Sequence, residues 1–460
     1  MITRSDLDAR VREWQLADHV VEKDYVLGWL LWGLGQHPRL SVMWAFKGGT
    51  CLKKCFVETF RFSEDLDFTV LPGGPFRPEE VAALLLEVLD RVGQESGIDF
   101  AGRPPALRLR PDGNTSEGRI FYRGPRGAPS DASVKLDLSA SERVVRPTVL
   151  RAIGHEYPDR WATGATVRCY GFEEVFAEKL RALGERCRPR DLYDVIHLYR
   201  RPDLHAHSEL LRTVLADKCV SKGVAVPTLA SVTTEEHRAE LQTEWMNMLG
   251  HQLQALPPFE SFWDELPALF EWLQGTALPS LVPAMSRASN EDSTWKPPAL
   301  VSSWGGGSPL EVVRFAAANH LCLDLNYAGE VRRIEAYALR RTLDGNLILR
   351  AVRCQDGESR AYRVDRIAGV SVTTEVFRPR YAIEFSETGV LQALPTTRAI
   401  VTGRGRGRVR YHGPAWVVEC PLCSRRFTRS KPDWSLRKHK TKDGYLCAGR
   451  RGWLVGTRSF

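Results

Sequence analysis

The sequence contains no apolar run near the roughly 18 residues that a membrane-spanning helix requires. The nearest approach is "VLGWLLWGLG" at 26–35. The opening "MITRSDLDAR" has no apolar core of the kind a secretory signal needs. The expectation is a cytoplasmic protein without a membrane partner. The pattern G-x-x-x-x-G-K-[ST] does not occur, so a P-loop is excluded as the means of holding a nucleoside triphosphate. No internal repeat is visible, which argues against a solenoid. Acidic residues are scarce at one end: residues 401–460 hold 15 Lys/Arg and only 3 Asp/Glu, about +12. The rest of the chain is about −4, so the formal net charge of +8 belongs to the tail. A basic terminus suits nucleic acid; a solvated tail is the other reading.

What is present is globular. The 460 residues are 43% hydrophobic and 26% charged, enough for two to four domains. Residues 1–35 show helical spacing ended by Gly33 and Gly35. "VMWAF" (42–46) and "DLDFTVL" read as strands, "PEEVAALLLEVLDRVG" (78–93) as an amphipathic helix. "PALRLRP", "RIFYRG" and "ASVKLDLSA" alternate apolar and polar residues, as strands do. From 172 to about 275 the pattern is helical. Strands followed by helices predict α+β with a helical bundle appended. Residues 276–309 are rich in Pro, Ser and Gly and read as a linker; strands then return, with "LDGN" as a hairpin turn.

One segment stands out: "FKGGTCLKKCFVETFRFSEDLDF", residues 46–68. In a strand, Asp65 and Asp67 face the same way, with Leu66 and Phe68 opposite. Two carboxylates so placed repel unless a cation lies between them, and Mg²⁺ or Mn²⁺ suits such a pair beside phosphate oxygens. Gly48 and Gly49 allow backbone N–H groups to approach an anion at the start of a helix, where Thr50 can cap the helix or bind a phosphate oxygen. Each half alone is common: a Gly-Gly turn, a solvated acidic strand edge. Their combination at this spacing is the informative feature.

The blocks "FKGGTCLKKC…RFSEDLDF", "VEKDYVL" (21–27) and "FEEVFAEKLRALGERCRPRDLYDVIHL" (172–198) resemble the AbiEii-type nucleotidyltransferase toxin family, which includes the MenT-like toxins. The resemblance spans roughly residues 1–275. It implies a polymerase β-like nucleotidyltransferase core that moves a nucleotide from an NTP to an acceptor RNA, the tRNA 3′ end, and a separately encoded antitoxin. It assigns Gly48, Gly49 and Thr50 to the phosphate-binding turn and Asp65 and Asp67 to the metal pair. Arg61 and Ser63 fall in its R-x-S-x-D-x-D pattern, Lys179 in its "AEKL" block and Asp191 in its "RDLYD" block; Arg61, Ser63 and Lys179 are expected to bind the nucleotide. Lys179 and Arg186 can share a helix face toward a triphosphate. Asp191 is either a first-turn carboxylate, a general base or a positioner of Lys179. Asp137, in "VKLDLSA", is either a third catalytic carboxylate or a strand-edge residue without a role.

Residues 314–380 resemble a WYL domain, through "LNYAGEVRRIEAYAL", "NLILRAVR" and "SRAYRVDRI". The namesake position reads Leu347-Ile348-Leu349. The resemblance implies a small SH3-like barrel that binds nucleic acid or a nucleotide ligand. Its arginines (Arg332, Arg340, Arg350, Arg353, Arg360, Arg363 and Arg366) either bind phosphate or pair with Glu330, Glu335, Asp344, Asp356, Glu358 and Asp365. Near the C-terminus, Cys420, Cys423, His439 and Cys447 have the spacing C-x2-C-x15-H-x7-C, which suits structural Zn²⁺. Free thiols, or His412 in place of His439, are the alternatives. Trp434, Tyr445 and Trp453 are candidates to stack on bases, or to pack a metal-stapled core.

The expected organisation is a transferase core at 1–200, a helical bundle at 201–275, the linker at 276–309, the WYL-like barrel at 310–398 and a basic C2HC module at 399–460. The expected activity is Mg²⁺-dependent nucleotidyl transfer in a toxin–antitoxin or phage-defence setting. The alternative is a catalytically inactive regulator that binds nucleic acid through its two later modules.

Overall fold

The computed structural model describes residues 1–57, 61–159, 161, 164–200, 208–277, 282–297, 309–385, 415–420, 423, 425–429, 435–440, 446–447 and 453–458. Part of the expected linker (298–308), the run "GRGRGR" (403–408), His412, Trp434 and Tyr445, together with the side chain of Trp453, lie outside the described residues. The chain divides into two compact units, Met1–Pro395 and Thr396–Phe460.

The first unit opens with α1 (Arg4–Trp14) and α2 (Asp18–Gln36), then α3 (Leu40–Met43). Thr3 caps α1 in a reciprocal box with Asp6. Helix α2 is apolar on nearly every side and is buried accordingly. Next come β1 (Trp44–Lys47), α4 (Gly48–Cys51), a π-helical turn (Leu52–Phe56) and β2 (Asp65–Val70). The amphipathic α5 (Pro78–Ser96) begins on proline and ends at Gly97 in the left-handed region, as helix termini favour. Strands β3 (Ala106–Leu109), β4 (Thr115–Tyr122), β5 (Ala132–Ser139), β6 (Val149–Ala152) and β7 (Thr166–Cys169) complete a seven-stranded mixed sheet in the order β3-β4-β5-β2-β1-β7-β6. Strands β2 and β5 are parallel, with Asp67 opposite Asp137. Strands β1 and β2 are antiparallel, with Lys47 opposite Asp67. These two registers place three charged side chains, Lys47, Asp67 and Asp137, at the middle of the sheet.

The helical part follows: α6 (Phe172–Arg186), α7 (Pro189–Tyr199), α8 (Ser208–Lys222), α9 (Leu229–Val232), α10 (Glu235–Leu249), α11 (Glu260–Trp263) and α12 (Leu266–Gln274). The α+β core with a mixed sheet is the class the sequence indicated. Strands β6 and β7 were not legible in it; β6 is half-buried along its whole length, so no alternation marks it.

Helix α13 (Leu310–Ala318) has eight of its nine residues buried. It leads into β8 (Leu321–Tyr327), β9 (Glu330–Arg341), β10 (Leu347–Arg353), β11 (Ser359–Arg363) and β12 (Ile367–Val376). The order is β11-β10-β9-β8-β12. The expected closed barrel is not formed: β11 and β12 are the two edges and share no ladder. A 3-10 turn, Val364–Arg366, carries the chain between them, and the pairing of β12 with β8 slips at Ile367/Gly369 and Val372/Val376. The apolar core is continuous from Leu7 through α13 to Leu349 and Phe385. A buried hydrogen bond from Tyr193 Oη to Asn319 Oδ1 (2.9 Å) joins α7 to the end of α13.

The second unit has a three-stranded sheet, β14 (Arg426–Arg429), β13 (Ala415–Glu419) and β17 (Trp453–Arg458) in that order. The two-residue strands β15 (His439–Lys440) and β16 (Leu446–Cys447) form a separate pair. No helix among the described residues is long and apolar enough to cross a membrane.

Candidate active site and metal centre

Three aspartates occupy one face of the central sheet. Asp65 and Asp67 alternate with buried Leu66 and Phe68 on β2, and Asp137 is their neighbour on β5. Asp137 is held by Lys135 and stands 3.8 Å from Arg110 Nη2, while its Oδ1 is buried without a hydrogen-bond partner. Burial pushes the Asp67 carboxyl up to about 6; Lys47 opposes this, Asp65 and Asp137 add to it, and Lys179 opposes it. Burial also raises Asp65, with Lys135 opposing and Asp137 reinforcing. Such a face favours either a proton or a cation, and a hard divalent ion fits its all-oxygen donor set.

The glycine turn meets this face directly. Gly48 has φ +82, and a Cβ there would overlap Asp67 Oδ2 and stand 3.2 Å from Asp67 Cγ. A Cβ at Gly49 would lie 2.7 Å from Arg61 Nη2 and 3.0 Å from Ser63 Oγ. The two glycines therefore let the backbone press against a carboxylate on one side and a guanidinium on the other. Thr50 does not cap the helix; it is buried and donates from Oγ1 to Asp65 O at 2.5 Å, tying the turn to β2.

Lys179 and Asp191 lie in different ion pairs. Lys179, on α6, binds Asp194 Oδ2 at 2.8 Å. Arg61 binds the same fully buried carboxylate through Nε (2.7 Å) and Nη2 (2.8 Å), and reaches Gln252 Oε1 at 2.9 Å. Asp191 instead binds Arg186 through both oxygens, at 2.8 and 2.9 Å. Of the readings left open for Asp191, positioning of Lys179 is not the one its contacts fit: Asp194, three residues on, holds Lys179. Arg186 is likewise held by Asp191. Burial raises Asp194, but Arg61 and Lys179 outweigh it, so its carboxyl stays below the usual range. Sequence reasoning missed Asp194. Its signal was the second aspartate of "RDLYD", one helical turn from the first.

It also missed Lys47. This half-buried lysine pairs with Glu142, which accepts from Thr69 Oγ1 (3.2 Å) and meets Lys222 at 3.2 Å. Lys47 thereby sets a positive charge beside Asp67. The "VEKDYVL" block braces the turn from below: Asp24 binds Lys54 at 2.7 Å and accepts from Tyr157 Oη at 3.0 Å.

A family model described as nucleotidyl transferase AbiEii toxin, type IV toxin–antitoxin system, matches residues 29–273, more than half of the chain. The chain belongs to the AbiEii nucleotidyltransferase toxin family. Among solved structures it is similar to MenT4, a nucleotidyltransferase toxin from Mycobacterium tuberculosis H37Rv. Identity is 20%, with a TM-score of 0.43, over 61% of this chain and 91% of that one. Proteasome accessory factor B/C (PafBC) of Arthrobacter aurescens is similar at 16% identity and a TM-score of 0.15, over 62% of this chain and 41% of that one. Both TM-scores are too low to carry an assignment. No curated protein matches the chain.

The matched AbiEii region contains the whole acidic face, the glycine turn and the Lys179–Asp194–Arg61 cluster. Outside it, the arginines of β9–β11 are mostly paired. Arg332 binds Glu330, Arg353 binds Asp356, Arg360 binds Glu358 and Arg363 binds Asp365. Arg340 binds Glu384, and Arg350 lies 3.7 Å from Glu291. Of the two readings the sequence left open, the geometry is that of carboxylate pairing; Glu335 joins Arg380 instead.

In the second unit, Cys420, Cys423, His439 and Cys447 bring their ligand atoms within 4.8 Å of one another. Cys420 and Cys447 Sγ are 3.7 Å apart, and Cys423 Sγ is 3.3 Å from His439 Nε2. The tetrad is assembled by a knuckle, Cys420 N to Arg425 O (2.9 Å), and by the register that sets His439 opposite Cys447. Arg437 O lies 2.9 Å from His439 Nδ1, which leaves Nε2 to face the sulfurs. Three thiols and one imidazole suit Zn²⁺.

Proposed function

We propose that this AbiEii-family protein transfers a nucleotidyl group from an NTP to the 3′ hydroxyl of an RNA, with tRNA as the acceptor, and that a separately encoded antitoxin restrains it. One observation carries the reading: Gly48 abuts Asp67, so an anion cradled by the turn and a cation held by the carboxylates would share one pocket. Asp65 and Asp67 hold Mg²⁺ or Mn²⁺, which supplies charge neutralisation at the phosphates. The Gly48–Thr50 backbone receives the triphosphate, and Lys179, oriented by Asp194, neutralises charge on the departing pyrophosphate. Arg61 and Ser63 back the turn and keep Gly49 in place. Asp191 acts through Arg186 as a brace of α6 on α7. The acceptor hydroxyl attacks the α-phosphorus, the bond to pyrophosphate breaks, and Asp137 takes the hydroxyl proton. NTP and RNA as reactants imply a cytoplasmic setting, with growth arrest or phage defence as the outcome.

The zinc-tetrad module, in the basic C-terminal unit, serves as an accessory module for nucleic acid. A purely regulatory role is disfavoured by the arginine–carboxylate pairing on β9–β11, which leaves little uncompensated charge there. The test is incubation of the purified chain with Mg²⁺, each α-labelled NTP and total cellular RNA. Label should enter small RNA, and Asp65→Ala and Lys179→Ala should abolish it. Full transfer by either variant would refute the site.

A further inference from the structure

A second sulfur cluster lies behind the glycine turn, and the transfer chemistry makes no use of it. Cys51 closes α4, Cys55 lies one turn later in the π-helical segment, and Cys169 ends β7, where it is the register partner of Phe46. All three are fully buried, and their Sγ atoms lie within 4.8 Å of one another. Cys51 Sγ is 3.5 Å from Phe46 O, and Cys169 Sγ is 3.6 Å from Val167 O. Three sulfurs thus converge from two segments over a hundred residues apart.

The charge beside them is the second observation. Arg151, on β6, donates from Nε to Cys55 O at 3.3 Å and lays its guanidinium 4.6 Å from the Phe56 ring centroid. Its Nη2 is buried without a hydrogen-bond partner. Among the described residues no carboxylate pairs with it. Arg151 is half-buried, so a negative charge beside its unpartnered Nη2 would stabilise it, and neutral thiols supply none.

We propose that Cys51, Cys55 and Cys169 form a buried site for a soft, thiophilic cation of the Zn²⁺ class. Three thiolates and a divalent ion leave a single negative charge, which Arg151 cancels. Thiolates select such ions, and each thiol releases its proton to solvent on ligation. The ion would join the Gly48–Phe56 segment to β7 and so stiffen the turn from its buried side. The inference is independent of the proposed transfer reaction.

Metal counting tests it. The full chain is expressed in zinc-supplemented medium, dialysed against chelator and assayed for metal. Wild type should retain about two zinc ions per chain, and Cys420→Ser/Cys447→Ser about one. Adding Cys55→Ala/Cys169→Ala should remove the last. Cadmium supplied in place of zinc should give a thiolate-to-metal charge-transfer band in the Cys420→Ser/Cys447→Ser chain, with circular dichroism confirming its fold. A folded Cys420→Ser/Cys447→Ser chain with neither zinc nor the cadmium band overturns the proposal, as does retention of the metal after loss of Cys55 and Cys169. If the added alanines prevent folding, the count in the two-serine chain still decides.

Discussion

Gly48 is moulded to Asp67: its positive φ and the carboxylate lying where a Cβ would go leave no room for any other residue. Gly48→Ala must therefore either move Asp67 or shift the turn. We expect a stability loss of about 1–2 kcal/mol from backbone strain and contact. Transfer activity should fall far more, by about a hundredfold, because displacement of about 1 Å at a reacting centre costs that much. Thermal melts and label transfer on the same sample check the split.

Asp67 also predicts a pH dependence. Its folded value of about 6 exceeds the ordinary 3.8. Between these values the unfolded chain has lost the proton and the folded chain keeps it, so metal-free stability falls as pH rises from about 4 to about 6. Asp67→Asn should be more stable than wild type at pH 8, by about 2 kcal/mol, and equal to it at pH 4. Added Mg²⁺ should narrow the gap at pH 8 by stabilising wild type. Denaturant unfolding at both pH values, with and without Mg²⁺, measures this.

Asp194 and Asp191 should respond differently to removal. Asp194→Ala leaves Lys179 and Arg61 buried without their shared carboxylate, a change that costs about 3–5 kcal/mol. Asp191→Ala frees Arg186, whose side chain is 53% exposed and can turn to water. It should cost about 1–2 kcal/mol. Equal losses in denaturant unfolding would contradict the pairing described.

At the C-terminal tetrad, His439→Ala should remove the zinc ion of that unit, whereas His412→Ala should retain it. Metal analysis after dialysis distinguishes them. Loss of metal in the His412 variant alone would reassign the fourth ligand.

Much of the fold was legible because local patterns carried it. The alternation of β2 and β5, the amphipathic period of α5 and the proline and glycine at its ends need no distant partner to be read. The meeting of the glycine turn with Asp65 and Asp67 was legible for a related reason: sixteen residues suffice for a strand–turn–helix–strand return. The exchange of partners among Lys179, Asp191 and Asp194 was not legible. Residues three apart on one helix look alike in sequence, and which of them meets Lys179 and which Arg186 depends on how α6 and α7 pack. The middle module also departed from expectation, since strand count and composition do not say whether edges close.

By itself the sequence determined the acidic pair, the glycine turn, the cysteine–histidine spacing and the family, because each lies in a short segment with its own chemistry. Tertiary structure alone decided which charges neutralise one another: Lys47 with Glu142, Lys179 and Arg61 with Asp194, and Arg186 with Asp191. These partners are distant in the chain or interchangeable in composition. Only packing sets the few ångströms over which a buried charge can find its counter-charge.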